Sequence, residues 1–361
     1  MDDRFIDFVR YSIGTSEEAP AGMTPGEWEL LYSKARSHAV LGVCASGIER
    51  LPEERRPPRP LALRWAADTM KIEERNRLSN RRCVELAEML RAAGFKPCIL
   101  KGQGAALYYP DPLRRQSGDI DVWVGGGHRS VMKYVRSLFP KEGAYYHHAD
   151  FPVFADVPVE IHFIPSWLSS PMANARFRKW FTQREAAVQA NLVELPEGAG
   201  SIAVPTVEFN LVYMLLHIYR HLFSEGIGLR QCLDYYYLLK TYDANGKPGL
   251  DSVISCLHRL GLYDFAGAVM HVMSEVFGAP RQMLPVPPRA GDGRFVVRQI
   301  LRSGNFGCEN NIDRGHGKNL LFYTRKLKYK LHYASRYPAE TLWGLAFSLW
   351  QKLWIRCNGY A

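Results

Sequence analysis

The chain has 361 residues, 47% of them hydrophobic and 23% charged, an ordinary globular balance long enough to bury a core without disulfide or metal staples. Its formal charge of +10 and pI near 9.2 lean towards an anionic partner such as nucleic acid, nucleotide or phospholipid. No stretch reaches the roughly 18 unbroken apolar residues of a membrane span; the nearest, TLWGLAFSLWQKLWIRC, is interrupted by Gln351 and Lys352.

The opening MDDRFIDFVRYSIG is acidic and amphipathic, unlike a secretion signal. The seven cysteines (Cys44, Cys83, Cys98, Cys232, Cys256, Cys308 and Cys357) are dispersed, with no C-x-x-C pair and no zinc spacing. They fit reduced, mostly buried thiols, which makes a soluble cytoplasmic protein the expectation. Residues 1 to about 93 read as a helical region. Apolar spacing near 3.6 runs through GEWELLYSKARSHAVLGVCASGIERL, and DTMKIEERNRLSNRRCVELAEMLRAAG is a long amphipathic helix ending at Gly94. Between them PEERRPPRP cannot be helical.

From Phe95 the period changes. FKPCIL reads as a buried strand, GQGAALYY as a brief helix before PDP, and DIDVWV as a second strand closed by GGG. HRSVMKYVRSLF predicts a helix, and AYYHHADFPVFAD and VPVEIHFIP predict two further strands, a compact α+β unit. After a loop around LPEGAGSIAVP the helical period returns, in PTVEFNLVYMLLHIYRHLFSEG, GLRQCLDYYYLLKTY, DSVISCLHRLG and YDFAGAVMHVMSEVFG. The expected organisation is therefore an N-terminal helical region (1–93), a small mixed-sheet core (94–200) and a C-terminal helical region with a basic, aromatic tail (201–361).

The chemistry concentrates in the core. Strand alternation puts Asp119 and Asp121 on one face and Ile120 and Val122 on the other. Two neighbouring carboxylates repel, and desolvating both is costly. A hard divalent cation such as Mg²⁺ removes that cost, binding carboxylates and substrate phosphates together. In VPVEIHF, Glu160 and His162 share a face, so a strand laid beside DIDVWV would complete a three-carboxylate set able to hold two metal ions. An isolated D-x-D is more commonly a solvated strand edge. Here Lys101-Gly102 follows a buried strand and opens a helix, where free N–H groups favour phosphate, and Arg114 and Arg115 add anion-binding groups.

These residues carry a resemblance. Residues 95–165 resemble the nucleotidyltransferase fold of the DNA polymerase β superfamily. More narrowly, LKGQGAALYY…RRQSGDIDVWV, followed by VEIHF and by HIYRHLFSEGIGLRQCLDYYYLL, resembles the group known as uncharacterised nucleotidyltransferases, over roughly Trp28 to Leu239. The resemblance implies that Asp119, Asp121 and Glu160 are catalytic metal ligands for two Mg²⁺ ions, with Glu160 assisting deprotonation of an acceptor hydroxyl. It implies that Lys101, Gly102 and Gln103 hold the triphosphate, although that turn is usually Gly-Ser or Gly-Gly. It sets Arg115, Ser117 and Gly118 of RQSGDID, with His162, His221, Arg230 and Asp234, on the nucleotide side. A similar Lys-Gly and Arg-x-Ser-x-D-[IL]-D layout occurs in nucleotidyltransferase toxins, which brings tRNA into view.

Several features carry competing readings. His217 and His221 stand four apart without an H-E-x-x-H, so they fit hydrogen-bonded partners better than zinc ligands; for Arg230 and Asp234 the alternative is a structural ion pair. His162 fits support of a carboxylate better than catalysis. Between Asp313 and Glu340 there is no acid, while Arg314, Lys318, Arg325, Lys326, Lys328, Lys330 and Arg336 interleave with aromatics: an RNA-binding mixture, or a solvated helix face. Trp343, Phe347, Trp350 and Trp354 form a helical stripe for core packing or docking, with interfacial membrane contact a weaker alternative.

The leading expectation is a Mg²⁺-dependent nucleotidyltransferase moving NMP from an NTP such as ATP to an acceptor hydroxyl, of tRNA or protein. The alternative is an inactive protein of the same fold that binds nucleotide or RNA. A third reading is an accessory of surface-polysaccharide synthesis docked at a membrane through the Trp stripe.

Overall fold

The computed structural model describes residues 2–224, 226–305, 333–335 and 337–360. Helices α1 (Asp2–Ile13), α2 (Pro25–Ser37), α3 (Leu41–Arg50) and the long α4 (Arg59–Ala92) come first. Local chemistry sets their ends. Thr24 and Glu27 cap α2 reciprocally, and Pro25 stands in its first turn, where no N–H is needed. The Pro/Arg stretch, expected to exclude helix, holds a 3-10 turn at Glu53–Arg55. Its last two residues, Arg59 and Pro60, already open α4, where proline in the first turn lacks only an N–H that has no helical partner.

The chain then forms β1 (Cys98–Ile99), a single turn of helix α5 (Gln103–Ala106), β2 (Ile120–Trp123), α6 (Gly127–Leu138), β3 (His148–Asp150) and β4 (Val159–His162). These strands make one mixed sheet in the order β1-β2-β4-β3. Strand β2 runs parallel to β4, and the two outer pairings are antiparallel. The architecture is α+β, a small mixed sheet among helices.

Helices α7 (Pro171–Thr182) and α8 (Glu185–Ala190) follow, in a stretch whose period the sequence reading does not resolve. The segment expected as a loop around LPEGAGSIAVP is instead an antiparallel hairpin, β5 (Leu192–Leu195) with β6 (Gly200–Ala203). Its alternation is too short to announce itself, and packing decides it: Gly200 lies against Val84 of α4, and Ile202 and Ala203 are buried. Helices α9 (Val207–Ser224), α10 (Leu229–Ala244), α11 (Leu250–Leu260), α12 (Tyr263–Phe277), α13 (Ala290–Ser303) and α14 (Pro338–Cys357) complete the described chain.

One face of the sheet is apolar. Ile120, Val122, Val159 and Ile161 are buried in a common core with Val131, Met132 and Val135 of α6. The other face carries Asp121, Trp123, Glu160 and His162 and is covered by α9, whose Phe209 stacks on Trp123 at 6.1 Å. Helix α9 thus roofs the carboxylate face.

Cys44, Cys83, Cys98, Cys232 and Cys256 are buried and Cys357 is exposed. In α14, Phe347 stacks on Trp167 at 4.0 Å and both Trp350 and Trp354 pack on Tyr146, while Leu349 and Leu353 are largely exposed. Among the described residues no helix is long and apolar enough to cross a membrane. The basic run Arg314–Arg336, apart from Tyr333, Ala334 and Ser335, and Cys308 lie outside the described residues.

Candidate functional site

A cleft of about 360 Å³ opens between the polar face of the sheet and helices α9 and α10. Lys101, Gly102, Arg115, Gly118, Asp119, Asp121, Glu160, His162, His221, Arg230 and Asp234, all singled out from sequence, line it. His147, His148, Tyr213, His217 and Arg220 join them.

The sheet register builds the floor. Asp121 pairs with Glu160 across the parallel β2–β4 ladder, and Asp119 stands just before β2, one alternation back. Asp119, Asp121 and Glu160 each present an oxygen within 4.8 Å of the other two. That proximity has an electrostatic cost: the charge of Asp121 pushes the carboxyl of Asp119, which is itself exposed, above its ordinary value. Burial also works against the Asp121 carboxylate, but the Lys101 ammonium 2.9 Å from Oδ2 and His162 Nε2 2.9 Å from Oδ1 outweigh it and hold it well below the usual range. Desolvation likewise works against Glu160, and its neighbours His162 and His148 still leave its carboxyl lowered. Three converging hard oxygens, one strained by a like charge, fit the donor set of a Mg²⁺ ion.

The turn from β1 into α5 depends on Gly102. Its φ of +54° and ψ of −112° lie where a side chain is strained, and an added Cβ would lie 3.7 Å from the Asp119 carbonyl oxygen. Helix α5 is a single turn of four residues, shorter than the sequence suggests. Lys101, expected on the triphosphate, has its ammonium on Asp121.

Buried polar groups of α4 position both loops. Asn76 Nδ2 donates to the carbonyls of Leu113 (2.6 Å) and Arg115 (2.7 Å). Gln103 Nε2 donates to Asn80 Oδ1 at 2.5 Å. Gln103 is therefore turned into the α4 contact, outside the cleft lining, because its amide meets two asparagines there. The Ser117 hydroxyl is buried without a hydrogen-bond partner among the described residues, and it too is outside the lining.

The two arginines upstream of Asp119 diverge. Arg114, expected to bind anions, is claimed by Glu49 at 2.6 Å and by Asp111 and Glu73, tying the loop to α3 and α4. Arg115 makes a buried bidentate pair with Asp234 of α10, Nε–Oδ1 2.7 Å and Nη2–Oδ2 2.8 Å. Burial works against the guanidinium charge, and Asp234 restores it and raises its pKa. Tyr109 also donates to Asp234, at 2.6 Å. Asp234 thus serves Arg115 and Tyr109, and the pair locks α10 onto the sheet loops. Arg230 Nη1 donates to the Gln116 carbonyl at 3.0 Å, and Arg230 shares the cleft wall with His221.

His147 and His148 of the cleft are not legible in the sequence. His148 Nδ1 and His147 Nε2 are 2.9 Å apart, and burial pushes both pKa values down, to about 4 for His148. The only signal was their adjacency in a segment expected as a strand; β3 begins at His148. Arg220 and Tyr213 were equally silent, being face positions of an otherwise apolar helix.

Residues 24–278 match the profile of a protein family described as uncharacterised nucleotidyltransferase. No curated protein matches the chain. An antigenic nucleotidyltransferase-like protein from Paracoccidioides brasiliensis is similar in structure over 60% of this chain and 96% of its own, at 11% identity and a TM-score of 0.32.

Proposed function

This chain belongs to the uncharacterised nucleotidyltransferase family, and from that premise we propose that it moves a nucleoside monophosphate from a nucleoside triphosphate such as ATP to an acceptor hydroxyl of a tRNA or a protein. The observation that carries the reading is the convergence of Asp119, Asp121 and Glu160 beside the Lys101-Gly102 turn in one cleft.

Asp119, Asp121 and Glu160 would hold Mg²⁺, two ions in the fullest form; when bound, it neutralises phosphate charge and makes the acceptor hydroxyl more acidic. The acceptor oxygen attacks the α-phosphorus, its proton passes to the Glu160 carboxylate, and the bond to pyrophosphate breaks. Glu160 is ionised at neutral pH as any ordinary carboxylate is, and its lowered pKa makes it a weak base that acts by its position. Lys101 and the Gly102 backbone take the phosphates, with Arg230 and His221 facing them from the helical wall. His162, on both Asp121 and Glu160, orients the two carboxylates. Catalysis of this kind is positioning and charge neutralisation.

One observation favours a second reading, a nucleotide-binding protein without chemistry. Lys101 and His162 already satisfy both oxygens of Asp121, so part of the charge is balanced by the chain itself.

The test offers the purified protein each α-labelled nucleoside triphosphate with Mg²⁺, alone and with total tRNA or cell-extract protein. Label entering one fraction, with pyrophosphate released, supports transfer and identifies nucleotide and acceptor. Mg²⁺-dependent nucleotide binding without pyrophosphate from any of these mixtures supports the second reading.

A further inference from the structure

We propose that His148, Glu160 and His162 form a second cation site, suited to a borderline divalent ion such as Zn²⁺, which shares Glu160 with the Asp119/Asp121 pair.

The sheet assembles the three side chains. Strand β3 pairs antiparallel with β4 so that His148 lies opposite His162, and Glu160 sits two residues before His162 on the same face. Their donor atoms all lie within 4.8 Å of one another. Glu160 Oε2 is 3.6 Å from His148 Nε2 and 3.4 Å from His162 Nε2. The first of these is too long for a hydrogen bond and the second marginal. Both match the edge of a tetrahedron, about 3.4 Å when metal–ligand bonds are about 2.0–2.1 Å.

The surroundings prepare the site. His147 Nε2 lies 2.9 Å from His148 Nδ1. With the proton on His148 Nδ1, donated to His147, the Nε2 lone pair is left facing Glu160. A hydrogen bond on the far nitrogen is how ligating imidazoles are usually oriented. His162 Nε2 also lies 2.9 Å from Asp121 Oδ1, so ligation by His162 exchanges that hydrogen bond for a cation between them. Imidazole donors select Zn²⁺ or Co²⁺ over Mg²⁺, whereas the all-oxygen trio prefers Mg²⁺. The cleft therefore offers two donor sets of different softness, joined at Glu160. This rests on three side chains and not on the transfer reaction, so cation binding is read directly.

The full chain, stripped with chelator, is titrated with Co²⁺ and followed by visible absorption. The expected result is one equivalent with an intense spectrum of low coordination number, displaced by Zn²⁺ and not by excess Mg²⁺. His148→Gln weakens Co²⁺ at least tenfold, while Asp119→Asn keeps the spectrum. His148→Cys, shown to be folded by a parental far-ultraviolet circular dichroism spectrum, so that Cys44, Cys83, Cys98, Cys232 and Cys256 stay buried, adds a thiolate-to-cobalt charge-transfer band absent from the parent. Parental affinity and spectrum in His148→Gln, displacement by Mg²⁺, or no Co²⁺ binding by the parent would each overturn the site.

Discussion

Lys101 and Asp121 form an ion pair, Nζ to Oδ2 at 2.9 Å, between the end of the first strand and the middle of the second. Breaking a buried pair from one side leaves a desolvated charge, typically at a cost of about 3–5 kcal/mol. Asp121→Asn is therefore expected to lower stability by about 3 kcal/mol, because Lys101 is one-fifth exposed and escapes part of that penalty. It also removes transfer. Urea denaturation beside the labelled-nucleotide assay checks both; unchanged stability would mean that the pair contributes nothing.

Asp119→Asn has the opposite signature. The Asp119 carboxyl is held up by the charge of Asp121, so neutralising it removes a repulsion. The variant should lose transfer by at least about 100-fold, as expected when a group aimed at developing charge is removed, with an unchanged or raised melting temperature in chelator. A fall in melting temperature sinks the electrostatic account; retained transfer sinks the mechanism.

The Arg115–Asp234 pair predicts a structural phenotype. Arg115→Met strands a buried carboxylate and should destabilise the protein by about 3 kcal/mol. If Arg115 instead served only the nucleotide, stability would hold and KM alone would rise. Chemical denaturation with and without nucleotide separates the two.

Gly102→Ala tests the turn. Holding a side chain at φ +54° costs about 1–3 kcal/mol. If the turn relaxes away from the phosphates instead, KM for the triphosphate rises, by about tenfold for each 1.4 kcal/mol lost. Parental stability together with parental KM would rule out a constrained turn.

The pH dependence follows from the buried histidines. His147 and His148 have pKa values lowered by burial, so below about pH 6.5 the unfolded chain takes up protons that the folded chain refuses. Stability then falls as pH drops from about 6.5 towards the folded-state values, by about 1.4 kcal/mol per pH unit for each histidine. His162 has the opposite sign: its raised pKa gives stability that is complete below about 6.5 and lost as pH climbs through the folded value. Urea midpoints between pH 7.5 and 5.5 in chelator should decline, and His147→Gln should flatten the slope. An equal slope in the variant would rule out this origin.

Much of the floor of the cleft was legible in short stretches. D-I-D and E-I-H each use alternation within one strand, and the apolar residues between the acids fix which side is buried. Helix α4 and the return of helical period after the core were legible for the same reason. The β5–β6 hairpin was not, since four-residue strands with exposed leucine at one end owe their order to α4. Nor was the fate of Gln103, whose amide is satisfied by two asparagines more than twenty residues upstream.

The arginines mark the boundary. Local spacing was enough to set Asp119 and Asp121 on one face, because backbone geometry dictates sidedness over two residues whatever surrounds the strand; Glu160 joins them only through the pairing of β2 with β4. Spacing was not enough to tell Arg114 from Arg115, adjacent and chemically identical. The folded chain sends one to Glu49 and the other to Asp234, 119 positions away. A buried guanidinium pairs with whichever carboxylate is desolvated beside it, and that neighbour exists only once α10 has packed against the sheet.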